Sequence, residues 1–126
     1  MKHLKYVLPF LCLSPFIAHS EIMNGNELLL KLTQQDSSGF LYLVGIVDAA
    51  DASRLIFETN VIATSENTRV EAKASLGKYW GCKPEKASYG QVSDIAISYL
   101  KNHPKVRHLE ASMLIAAAMR EAWPCK

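Results

Sequence analysis

The sequence lacks an apolar run long enough to cross a bilayer. Its longest such stretch, Tyr6 to Ala18, is about 13 residues against the ~20 that a spanning helix needs, and it contains Pro9 and Pro15. It also lacks charge of one sign. Lys+Arg is 14 and Asp+Glu 12, a formal net charge of +2, and Lys2 and Lys5 alone supply that excess; from residue 21 onward the count is 12 of each. No basic stripe follows, which excludes a general nucleic-acid binder and a polybasic membrane surface. Catalytic signatures are missing too: there is no GxSxG, no HExxH, no glycine-rich phosphate loop and no paired-carboxylate motif. No repeat, low-complexity tract or linker divides the chain.

What remains is the balance of one folding domain: 126 residues, 49% hydrophobic and 21% charged. Its first twenty residues read as an export signal. Met1 to Lys5 is cationic, Tyr6 to Ala18 apolar, and Ala18-His19-Ser20 places small residues where a signal peptidase reads, so cleavage is expected before Glu21. Residues 21–126 are then the mature domain, in an oxidising compartment. Cys12 leaves with the signal, and Cys82 and Cys125 remain as an even pair. Pairing them would restrict the unfolded chain by roughly 4 kcal/mol. A catalytic thiol, or a metal site from Cys82, His103, His108 and Cys125, is the competing reading. Its spacings of x20, x4 and x16 contain no close CxxC pair.

The mature part reads as helices joined by short turns. Asn24-Gly25-Asn26 offers capping side chains before Glu27 and an aliphatic run, and Asp36-Ser37-Ser38-Gly39 is a turn cluster. Residues 40–47 suit a buried strand as well as a helix, and the Ala-rich continuation does not decide between them. Ser88 with Gln91 forms a capping-box pattern, and Tyr89, Val92, Ile95, Ala96, Tyr99, Leu100 and His103 make one helical stripe that Pro104 ends. A last helix is expected from Val106 to Trp123, with Ala111, Leu114, Ile115, Ala118, Met119, Ala122 and Trp123 on one face. Met113, Ala116 and Ala117 extend its apolar surface round the other side, so the helix is expected to be central or packed on two partners. Residues 53–81 resist assignment, apart from a short helix near 69–74 and an exposed aromatic turn at Gly77-Lys78-Tyr79-Trp80-Gly81.

Single residues carry little chemistry on their own. His103 lies on the apolar stripe and His108 after a turn, positions that suit packing or turn roles better than a base. Asp48, inside an apolar segment, reads as a hydrogen-bonded acid fixing a helix junction rather than as a perturbed acid. Tyr79 and Trp80 are the residue types that anchor interfaces; the other role open to Trp80 is to cover the adjacent disulfide. These readings lead to an exported, mostly helical, disulfide-stapled protein without catalytic function.

Several short elements, in order, resemble the Rap/Tai family of periplasmic immunity proteins against type VI secretion amidase effectors. They are Cys82-Lys83-Pro84, Tyr89-Gly90-Gln91, Tyr99-Leu100, His103-Pro104, Arg107-His108 and Ala122-Trp123-Pro124-Cys125, with Trp123 in place of the family's usual Phe. Upstream, Gly25-Asn26-Glu27-Leu28-Leu29 and the spacing of Tyr42, Gly45, Asp48 and Ala49 resemble the first two helices. The resemblance covers residues 24–52 and 82–125; a second cysteine pair carried by many relatives is absent. It implies an all-α, compact domain of about four to five helices, helical at 40–52 and stapled by Cys82–Cys125. It further implies a homodimer that needs no cofactor or metal and plugs the cleft of a secreted Cys/His cell-wall amidase. Tyr79 and Trp80, in the unmatched stretch before Cys82, are the candidate partner-binding residues. The other class of reading is an exported helical adaptor with the same fold and no amidase partner.

Overall fold

The computed structural model describes residues 22–62 and 66–126; the expected export signal, residues 1–20, lies outside them. The described chain forms five α-helices and no strand: α1 Gly25–Thr33, α2 Ser37–Ile62, α3 Glu66–Trp80, α4 Tyr89–Asn102 and α5 Ala111–Ala122, with a 3-10 turn at Pro104–Val106. The all-helical expectation holds.

Local chemistry sets the first junction. The Asn24 side chain accepts hydrogen bonds from the backbone N–H of Asn26 (3.0 Å) and Glu27 (3.1 Å), satisfying two donors that a helix start leaves free. Lys31, in the last turn, lies 3.6 Å from Glu27 and donates to Ser38 Oγ at 3.0 Å, which joins α1 to the start of α2. Between them Gln35 takes a left-handed φ of 55°. Asp36 then accepts from the Ser38 backbone N–H at 2.8 Å. That bond, a second one from the Ser38 side chain and the nearby Lys31 charge hold the Asp36 carboxyl below the usual carboxylate range.

The stretch left open between strand and helix is helical. Leu43, Val47 and Ala50, at helical steps of 4 and 3, are buried along one face of α2. Leu43 and Val47 join one core cluster with Leu28 and Leu32 of α1, Val92, Ala96 and Leu100 of α4, and Ala111, Leu114, Ile115 and Met119 of α5. A burial face at helical spacing overrides the β-branched and aromatic propensity of residues 40–47.

Two element boundaries differ from expectation. The unassigned stretch 53–81 is almost wholly helical: α2 continues to Ile62 and α3 fills Glu66–Trp80, so Tyr79 and Trp80 lie in a last helical turn and not in an exposed loop turn. Among the described side chains, none of α2 past Ala50 and none of α3 belongs to the hydrophobic core cluster. The twelve residues from Asp51 to Ile62 extend about 18 Å beyond that core at 1.5 Å per residue. They pack with α3 as a helical arm.

The last helix starts at Ala111 and not at Val106. The backbone groups that would have extended it are bound to the entry of α1. Asn26 N–H donates to Arg107 C=O and Gly25 N–H to Leu109 C=O, both at 3.0 Å, while Ala111 N–H donates to Met23 C=O at 2.9 Å. The Arg107 guanidinium also caps α4, donating from Nε to the Leu100 carbonyl and from Nη2 to that of Lys101. The capping box at Ser88 forms as expected: Gln91 N–H donates to Ser88 Oγ at 3.2 Å and Ser88 N–H to Gln91 Oε1 at 2.8 Å.

Candidate functional site

The base of the arm is fastened to α5 by bonds of several kinds. Cys82 and Cys125 form a disulfide with a Cα–Cα separation of 5.1 Å, the pairing expected from the cysteine count. Cys82 N–H donates to the Trp123 carbonyl at 2.7 Å. Within the arm's base, Arg54 of α2 donates to the Gly81 carbonyl at 3.2 Å and Lys83 pairs with Asp51 at 3.2 Å, tying α2 to the chain that leaves α3. Two glycines make the approach feasible. Gly81 ends α3 with φ +72°, and a Cβ there would fall 2.8 Å from Arg120 Cα and from the carbonyl oxygens of Met119 and Trp123. A Cβ on Gly77 would fall 2.5 Å from Cys125 Sγ, so Gly77 is a residue that lies against the disulfide.

Tyr79 and Trp80 sit beside this fastening. Trp80 is half-buried, whereas Tyr79 is 67% exposed. Both line a groove of about 540 Å³ whose other walls are Val106 and Leu109, from the turn after α4, and Met113 and Ala117 of α5. Tyr99 and Arg120 also line it. As expected of a helix with two partners, α5 packs on α4 and on α3; part of its second apolar face also lines this open groove, where Met113 is 62% exposed. A cleft of this volume with aromatic walls and a single charged residue suits the seating of a few side chains of a partner.

A separate apolar surface lies on the arm. Leu55, Ile56, Phe57 and Val70 are all about half exposed or more. No helix of the described residues is long and apolar enough to cross a membrane.

The remaining singled-out residues are dispersed. The Tyr89 hydroxyl donates to Asp48, tying the first residue of α4 to α2 as a structural acid would, and the Asp48 carboxylate pushes the Tyr89 phenol up. His103, at the other end of α4, stacks on Tyr99 with ring centroids 4.1 Å apart, and its Nδ1 lies 2.9 Å from the Tyr99 carbonyl. Asp48 and His103 therefore face opposite ends of a helix about 20 Å long and form no acid–base pair. His108 is exposed in the turn before α5. The sequence reading missed Leu109, Met113 and Arg120 as groove residues. The unused apolar face of α5 was the one available signal.

The family model described as Rap1a immunity proteins matches residues 24–125, including the stretch 53–81 that the resemblance had left unmatched. No curated protein and no solved structure matches the chain. With most of its length inside that match, the chain belongs to the Rap1a immunity protein family. Such a protein binds a cognate secreted effector and is not catalytic.

Proposed function

Taking this immunity protein as the premise, we propose that it works in the periplasm after losing residues 1–20, where it binds a type VI secreted peptidoglycan amidase and blocks its cleft. The amidase supplies the Cys/His chemistry, and this chain supplies a rigid obstacle. The observation that carries the reading is the fastened edge where α3 meets α5. A disulfide, a backbone hydrogen bond and two close glycine contacts hold Tyr79 and Trp80 beside an open groove. A preorganised surface loses less entropy on binding than a flexible loop, so a 126-residue chain can present such an edge with little ordering cost. The disulfide accords with an oxidising compartment. The exposed apolar side chains of the arm are the surface on which a second copy pairs, giving the homodimer that the resemblance implies.

The test is digestion of peptidoglycan by candidate Cys/His amidases with and without the mature chain. Stoichiometric inhibition of one of them by the wild type, weakened by Tyr79→Ala/Trp80→Ala, is the expected result. A wild type that inhibits none, and protects no intoxicated cell, replaces this reading with that of an exported adaptor.

A further inference from the structure

The groove beside Tyr79 and Trp80 is lined mostly by apolar residues and by one cation. Arg120 is the one charged residue lining it, and its guanidinium reaches only the carbonyl of Lys78, at 3.4 Å. From Ile95 to Leu109 the chain carries no acidic residue, yet it carries Lys101, Lys105 and Arg107, and Val106 and Leu109 of this segment form one wall. Arg107 is committed to the end of α4. Arg120, Lys101 and Lys105 have no carboxylate partner among the described residues. The nearest acids in sequence make their contacts elsewhere: Glu110 accepts from Ser112 Oγ at 2.6 Å, and Glu121 lies 3.8 Å from His103 Nε2.

We propose that this groove docks an acidic segment of the effector with an apolar centre. Aliphatic or aromatic side chains of that segment seat between Tyr79, Trp80 and Met113, while its flanking carboxylates face Arg120 and Lys105. Apolar walls give the contact its residence time, and the unneutralised cations give it orientation, speed and salt dependence. The inference rests on the effector-binding reading, and it names the chemistry that the effector must present.

The experiment has two arms on the purified mature chain. In the first, two blocked peptides with the same Leu-Phe centre, one flanked by glutamates and one by lysines, are titrated while the backbone amides are followed by NMR. The proposal expects the acidic peptide to bind at least ten-fold more tightly, increasingly so at low salt, with shifts concentrated at Leu109, Met113 and Arg120. Arg120→Gln and Lys105→Glu should each weaken it several-fold with the thermal transition unchanged, and Leu30→Ser, at an exposed position of α1, should not. Equal binding of the two peptides, or indifference to both charge variants, overturns the proposal. In the second arm the same variants are tested for inhibition of whichever amidase the wild type silences. Inhibition by the wild type that survives Met113→Glu and Arg120→Glu overturns the groove while leaving the immunity reading intact. If the wild type silences no amidase but the acidic peptide still binds selectively, the amidase reading falls and the groove stands. A shift of the chain alone from dimer to monomer on Met113→Glu would make a second copy the occupant, and would also overturn the proposal.

Discussion

At Gly81 two constraints fall on one backbone position: a left-handed φ, and three atoms of the α5 terminus within 2.8 Å of any added Cβ. Gly81→Ala is therefore expected to destabilise the domain by roughly 1–3 kcal/mol, read from the midpoint of urea unfolding. Asn24 caps α1 by two hydrogen bonds, and Asn24→Ala should cost about 1 kcal/mol in the same assay. Asp36 adds a pH dependence of known sign. Its carboxyl is depressed in the folded chain by Ser38 and Lys31, so it contributes stability above its unfolded pKa and loses that contribution as pH falls through the folded value. Asp36→Asn should flatten the stability–pH curve below about pH 4, where unfolded aspartates protonate. An unchanged slope would mean that the Ser38 bonds do not hold in solution.

Among the elements, those whose signals are local were legible in the sequence. The Ser88–Gln91 capping box, the stop at Pro104 and the Asn24 cap each act within a few residues, and each lies where the residues indicate. The disulfide was legible from the two cysteines, Cys82 and Cys125, that follow the expected export signal. The arm was not, because helical periodicity marks burial against a core, and none of the described side chains of α3 joins the hydrophobic cluster. Nor was the start of α5, which is fixed by hydrogen bonds to residues more than eighty positions away in the chain. The site was half legible for the same reason. Tyr79 and Trp80 are recognisable by type, while the opposite wall of their groove is assembled only by tertiary packing. Two predictions belong at this scale. Cys125→Ser releases the constraint between α3 and α5 and should lower stability by about 2–5 kcal/mol in equilibrium unfolding. Leu55→Ser with Phe57→Ser, both exposed in the single chain, should change the unfolding midpoint by less than about 0.5 kcal/mol of stability and yet reduce self-association in sedimentation equilibrium.

For the molecule as a whole, the parts divide into a four-helix body, an arm and a fastened edge between them, and each has one role in the account. The body, from α1, the first half of α2, α4 and α5, holds the core, and the disulfide fixes the arm to it; in the proposed reading the edge at Tyr79 and Trp80, which lines the groove, is what meets the effector. Export is the first consequence at this scale. Intact-mass analysis of the periplasmic protein should find a chain beginning at Glu21 with two fewer hydrogens than its reduced form; retention of residues 1–20, or two free thiols, would contradict it. The central claim is that this chain silences a cell-wall amidase by occupying its cleft, and the most direct measurement is the release of peptide-stem fragments from purified peptidoglycan by a candidate amidase, titrated with the mature chain. The account predicts that release falls to background as the two proteins reach stoichiometric equivalence and that Tyr79→Ala/Trp80→Ala, folded and disulfide-bonded, requires a marked excess to do the same. Undiminished release at saturating wild-type protein, for every amidase against which the chain protects cells, would contradict it.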